Sequence, residues 1–270
     1  MPITFTPLTN TLGAEVHGVN LHEPFDDETS AVLRKGFDEY NLLLIRGVDI
    51  SAPEQSRYGE VFGRIEVRKG IATGAVAQEP GTQYISNTRA DGILGDGELK
   101  FHQDHLFHEE PLRALMLYAM EIPDSGSQTK WRSGNAIYEA LSADLRARAE
   151  AVKCLHVFDY DRKDYSVEVG FSNLSANAKT ALQPLVWRSP ATGKPAVWVV
   201  RFSTADFEGV SHGEGEALLD EIWQAAESVE EYVHEWKSGD LLIWNNLALQ
   251  HARMPFNAEE RRTLRRTPLL

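Results

Sequence analysis

The chain has 270 residues, of which 42% are hydrophobic and 25% charged, and a formal net charge of −13. That size suits one large domain, and the composition excludes a disordered or fibrous chain. The acidic balance repels phosphate backbones and sets nucleic acid aside as a partner.

The first residues, Met1-Pro2-Ile3-Thr4-Phe5, lack the basic stretch and apolar core of a secretory leader. No apolar run approaches the ~20 residues that span a bilayer. The expectation is a cytoplasmic protein with no membrane partner. A short strand is expected over residues 12–16. A helix follows over 26–40, with Asp26 or Asp27 as its N-cap. The run 41–47, apolar and ending at Gly47, reads as a buried strand. Residues 51–62 read as a second helix, with Pro53 in its first turn and Gly63 just beyond it.

Residues 68–99 are glycine-rich and irregular, with only 82–86 strand-like. Long irregular segments in a compact domain are often lids, and 68–99 and 160–178 are expected to act as such. Beyond them, strands are expected over 115–122, 196–202, 240–244 and 262–268, and helices over 142–154 and 213–226. Cys154 is the only cysteine, so no internal disulfide forms, and its apolar neighbours predict a buried thiol. No repeat or linker divides the chain. The predicted architecture is one domain, mainly β with flanking helices around a sandwich or barrel core.

Two clusters carry chemistry. In Phe101-His102-Gln103-Asp104-His105, a strand would turn His102 and Asp104 to the same face. Imidazole plus carboxylate suits a divalent first-row metal. His251, beyond the strand 240–244, is the best third ligand. Two histidines and one carboxylate leave open metal positions for a co-substrate and O₂. His105 and His108 lie close by, and spacing alone does not choose among the histidines. The second cluster is Arg261, Arg262, Arg265 and Arg266. Alternation puts Arg262, Leu264 and Arg266 on one face, with the two arginines roughly 13 Å apart at ~3.3 Å per residue. It puts Arg261 and Arg265 on the other face, in solvent. Guanidinium meets carboxylate or sulfonate with a planar fork.

These blocks, in this order, resemble the TauD/TfdA family of iron(II)- and 2-oxoglutarate-dependent dioxygenases. The resemblance runs from Leu12-Gly13-Ala14-Glu15-Val16-His17-Gly18 through Leu43-Leu44-Ile45-Arg46-Gly47 and Phe62-Gly63. It continues with His102-x-Asp104, Asp124-Ser125-Gly126-Ser127-Gln128-Thr129 and Gly239-Asp240-Leu241-Leu242-Ile243-Trp244-Asn245-Asn246. It closes with His251 and residues 261–267. It implies a double-stranded β-helix (jelly-roll) core over a single domain, 1–270. It implies Fe(II) on His102, Asp104 and His251, with 2-oxoglutarate and O₂ as co-substrates. It places the distal carboxylate of 2-oxoglutarate on Thr129 and Arg262.

Arg266 matches the position that, in several members, meets the anionic group of the primary substrate. The implied reaction hydroxylates or oxidatively cleaves a small anionic molecule, releasing succinate and CO₂. Asp104 argues for oxidation, since a halogenating variant of the family lacks this carboxylate. Taurine-type members carry a histidine and a tyrosine after Phe62-Gly63. Here the sequence is Arg64-Ile65-Glu66-Val67-Arg68-Lys69, so that sulfonate pocket is not reproduced. Arg68, Lys69, His105, Phe107 and Phe202 are further candidates to line the substrate pocket, and the enzyme is expected to be a homo-oligomer. Two other readings are a cupin-like metal hydrolase or isomerase, which needs neither Arg262 nor Thr129, and a non-enzymatic sensor of 2-oxoglutarate or a small acid.

Overall fold

The computed structural model describes residues 2–67, 81–95, 97–161 and 174–270. Strands β1 (Thr4–Pro7) and β2 (Ala14–His17) precede helix α1 (Asp27–Tyr40), strand β3 (Leu42–Ile45) and helix α2 (Ala52–Gly59). Next come β4 (Gln83–Ser86), β5 (Gly92–Ile93), β6 (Leu99–His102), β7 (Ala114–Glu121) and β8 (Thr129–Ser133). Helices α3 (Gly134–Ala140) and α4 (Ala143–Glu150) lead to β9 (Lys153–Asp159), β10 (Ala178–Pro184), β11 (Val186–Arg188), β12 (Pro195–Val197) and β13 (Thr204–Glu208). The chain ends with α5 (His212–Ala226), β14 (Glu231–His234), β15 (Leu241–Asn245), β16 (Leu249–Arg253) and β17 (Thr263–Leu269).

Local chemistry sets the helix starts. Asp26 accepts the Thr29 backbone N–H at 2.7 Å, and α2 opens with a reciprocal Ser51/Glu54 capping box. Asn41 closes α1 in the left-handed conformation, where a short polar side chain is tolerated.

Two sheets build the jelly roll. The larger has eight strands in the order β1-β2-β3-β15-β7-β17-β4-β5, and the smaller has four, β14-β8-β16-β6. The central strands of the larger sheet, β3, β15 and β7, are apolar on both faces, as expected of strands buried on both sides. Leu43, Ile45, Met116 and Ile243 face outward and pack with Leu33 and Phe37 of α1 and Tyr58 of α2. Leu42, Leu44, Leu115, Leu117, Leu242 and Trp244 face inward, against Trp131 and Leu249 of the smaller sheet. A separate cluster joins α3, α4 and α5 to β9 and β12.

Several expectations need correction. The helix expected over 142–154 ends at Glu150, and Cys154 lies in β9, where exposure alternates along the strand. Cys154 is buried, and burial pushes its thiol up to about 12. The strand expected over 196–202 is short. After Val197 the Trp198 indole donates to the Leu247 carbonyl at 2.7 Å, and a turn at Val200–Ser203 ends the pairing. Arg265 is not in solvent. It is buried, donating to Gln55 Oε1 at 2.7 Å and the Ile50 carbonyl at 2.6 Å, with its guanidinium over the Tyr118 ring. The face opposite Arg262 and Arg266 is covered by α2, which strand alternation alone does not reveal. Arg261 is exposed and pairs with Glu121. Of the expected lid segments, 83–86 and 92–93 are strands at the edge of the larger sheet, and 68–80 and 162–173 lie outside the described residues. No described helix is long and apolar enough to cross a membrane.

Candidate metal centre and its pocket

His102, Asp104 and His251 come together, each offering a ligand atom within 4.8 Å of the others. His102 ends β6 directly opposite His251 of β16 in the antiparallel register. Asp104 does not share that strand, which corrects the alternation argument. It lies in the turn after β6, where His105 adopts a left-handed φ of 63°.

A buried amide holds that turn. Asn246 accepts the Asp104 backbone N–H at 2.8 Å, and its Nδ2 donates to the carbonyls of Asp104 at 2.9 Å and Leu112 at 2.8 Å. In the sequence Asn246 is only one residue of the block Gly239–Asn246. Its role is tertiary, joining segments 142 and 134 positions away, and has no local signature.

The three groups are prepared differently. His102 Nδ1 lies 2.7 Å from the Lys100 carbonyl, so that nitrogen donates and Nε2 is the one turned toward the triad. Nε2 sits 3.3 Å from Asp104 Oδ1. Burial, together with the neighbouring His102 and Arg266, pushes His251 down to about 3, leaving a neutral imidazole at ordinary pH. Burial disfavours the charge on Asp104, but Arg266, with His102 and His251, outweighs it and holds the carboxyl well below its usual range. Arg266 Nη2 is 2.6 Å from Asp104 Oδ2, and its Nη1 donates to Gln83 of β4.

The centre opens into a pocket between the sheets. Ile85, Ile93, Leu94, Leu99, Leu117, Trp244 and Leu264 form apolar walls, and Thr129, Arg253, Arg262 and Arg266 join the triad as the polar lining. Arg262 is buried, and among the described residues its Nε and Nη1 have no hydrogen-bond partner. Burial and the like charge of Arg253 bring its guanidinium down to about 9. Arg253, two positions from His251 on β16, was missed, although the same alternation points to it. Its guanidinium donates to the carbonyls of Leu94 at 2.6 Å and Gly97 at 2.9 Å and so ties both residues to β16.

The remaining candidates divide. Phe202 lies against His102, with ring centroids 5.6 Å apart. His105 and Phe107 are buried but outside the pocket lining. They belong to an aromatic cluster with His108, Phe158 and Tyr160. Arg68 and Lys69 lie outside the described residues.

The sequence profile of the taurine catabolism dioxygenase TauD, TfdA family matches residues 4–267. Pentalenolactone F synthase of Streptomyces arenae is 28% identical over 278 residues, covering 96% of this chain and 93% of that protein. The alpha-ketoglutarate-dependent 2,4-dichlorophenoxyacetate dioxygenase of Cupriavidus pinatubonensis is 27% identical over 288 residues, covering 100% of this chain and 98% of that one. Among solved structures, a taurine dioxygenase from Burkholderia xenovorans superposes with a TM-score of 0.80 at 26% identity, over 99% of this chain and 90% of that one.

Proposed function

The chain belongs to the TauD/TfdA family and is a 2-oxoglutarate-dependent dioxygenase, and from that premise we propose that His102, Asp104 and His251 hold its iron and that its primary substrate is a small organic anion. The donor set fits the metal: two imidazoles and one carboxylate held well below its usual range suit iron(II) and leave positions open. Iron(II) bound there supplies the oxidising chemistry, consuming O₂ and 2-oxoglutarate and releasing succinate and CO₂.

The chain's own residues bind, orient and exclude water. Arg262 carries a buried charge with unpartnered N–H groups, and Thr129 presents a hydroxyl in the same pocket. Together they suit the distal carboxylate of 2-oxoglutarate, because a buried guanidinium without a counter-ion costs several kcal/mol, of order ~3–5, and an incoming carboxylate relieves it. His102, through the Lys100 carbonyl, keeps one tautomer. Arg266 occupies the outer oxygen of Asp104 and leaves Oδ1 on the His102 side.

The observation that carries the substrate reading is the charge of the pocket. Three arginines and one carboxylate line it, so positive charge is in excess before any metal is counted. One dianionic co-substrate does not exhaust it once a divalent ion is present. Arg266, on the metal side of the pocket, is the group we assign to the substrate's anion, with apolar walls for its body. The relative from Cupriavidus pinatubonensis, which acts on 2,4-dichlorophenoxyacetate, supports this class.

The test is succinate release with iron(II) and 2-oxoglutarate across aryloxyalkanoates, alkyl sulfonates and sulfate esters, each beside its neutral amide or alcohol. The charged member of a pair is expected to be turned over and the neutral one not. Equal rates for both would end the anionic-substrate reading.

A further inference from the structure

Behind Thr129 sits a group that does not line the pocket. The indole Nε1 of Trp236 donates to Thr129 Oγ1 at 2.9 Å, and both residues are buried. Thr129 opens β8, paired with His234 of β14, and Trp236 follows two residues beyond that strand's end. The His234 ring packs edge-on against Trp236, with centroids 4.6 Å apart at 86°. His234 is itself held by the Tyr232 hydroxyl at 2.9 Å and by Asp240 Oδ2 at 3.1 Å. The indole is therefore fixed in direction.

Donor and acceptor accounting gives this contact a consequence. A threonine hydroxyl has one proton and two lone pairs, and an indole only donates. Trp236 therefore occupies a lone pair of Thr129 and leaves the hydroxyl proton free. No described protein acceptor takes that proton. Thr129 and Arg262 line one pocket, so the hydroxyl proton and the guanidinium N–H groups are the donors available to whatever lies between them, while one of the two threonine lone pairs is already taken.

We propose that Trp236 is a positioning residue for the co-substrate: by donating to Thr129 it takes one of the hydroxyl's two lone pairs and orients the oxygen so that its proton is offered to the pocket, which favours a carboxylate there. This rests on the assignment of Thr129 to 2-oxoglutarate. Without the indole N–H the hydroxyl is free to rotate, and an incoming carboxylate must stop it.

The experiment is a double-mutant cycle on the full chain, W236F with T129V, read as 2-oxoglutarate binding by anaerobic calorimetry in the presence of iron(II). W236F is expected to weaken binding roughly fivefold, the scale of one hydrogen bond between neutral groups, with iron(II) affinity unchanged. In the T129V background the same change should have no further effect, because the hydroxyl it orients is gone. Should W236F fail to fold, benzothienylalanine incorporated at Trp236 keeps the ring shape and removes the N–H. Unaltered binding in W236F, or effects of the two changes that simply add, overturns the positioning role. If T129V itself leaves 2-oxoglutarate binding intact, the Thr129 assignment falls and this inference with it.

Discussion

Arg266 Nη2 lies 2.6 Å from Asp104 Oδ2, so the arginine proposed for the substrate also orients a carboxylate of the proposed metal triad. The pair is buried on the arginine side, with the Arg266 side chain 6% exposed and that of Asp104 21%. Removing one partner of such a pair leaves the other charge uncompensated. R266A is expected to raise the substrate KM by at least ~10-fold and, with no substrate or 2-oxoglutarate present, to weaken Co(II) binding by about 10-fold, the usual scale for groups that orient metal ligands. R266K keeps the charge but not the fork and should fall between. Co(II) titration of the substrate-free protein checks this, and an unaltered affinity in R266A would confine the arginine to substrate.

Asn246 holds the metal-ligand turn through three hydrogen bonds. N246A should cost about 3 kcal/mol of stability, on the usual worth of buried hydrogen bonds, and loosen metal binding. Melting with and without saturating Co(II) separates the two. The gain in Tm on adding metal is expected to shrink in the variant; an equal gain in both proteins would make Asn246 a purely structural residue.

Arg262 invites an opposite sign. Among the described residues its buried charge has no carboxylate partner, and Arg253 repels it. R262M removes that cost while filling similar volume. The metal- and co-substrate-free protein should gain about 1–3 kcal/mol in urea unfolding, while 2-oxoglutarate binding is lost. A destabilised R262M would show that the charge is satisfied in the free protein.

His156 supplies a pH dependence away from the metal. It is fully buried on β9, beside the hydroxyls of Ser203 and Thr204 at 3.3 and 3.4 Å, and burial pushes it down from 6.5 to about 3. The unfolded chain therefore binds this proton more readily than the folded one. Stability attributable to the neutral ring is intact above the unfolded value of 6.5 and is lost progressively as pH falls toward 3. At pH 4.5 the loss is about 3 kcal/mol. Urea unfolding at pH 7.5 and 4.5 should show a smaller acid loss in H156N than in the wild type. Equal losses would remove His156 from the acid sensitivity.

Much of the fold was legible because its central strands are short apolar runs bounded by glycine, and because Asp26 and Ser51 are strong helix caps. The outer strands were not. β9 follows α4 after a two-residue break, and its exposure alternation is weak beside the helical pattern before it. The three residues of the candidate site stand out in the sequence, but not how they are placed. His102 and Asp104 look like strand neighbours, yet a left-handed turn at His105 and the distant Asn246 bring them together. Arg265 looked like a surface cation because alternation reports which face a side chain takes, and not what covers that face. Trp236 and Gln83 act on pocket residues across strands, a relation no local spacing encodes.

The central claim is that His102, Asp104 and His251 hold iron(II) beside a 2-oxoglutarate site containing Arg262. The most direct measurement is the visible spectrum of the protein with iron(II) and 2-oxoglutarate under anaerobic conditions. A metal-to-ligand charge-transfer band is expected in the wild type, absent in H102A and restored only at far higher 2-oxoglutarate in R262A. No band in the wild type, or a band of undiminished strength in H102A, would contradict the account.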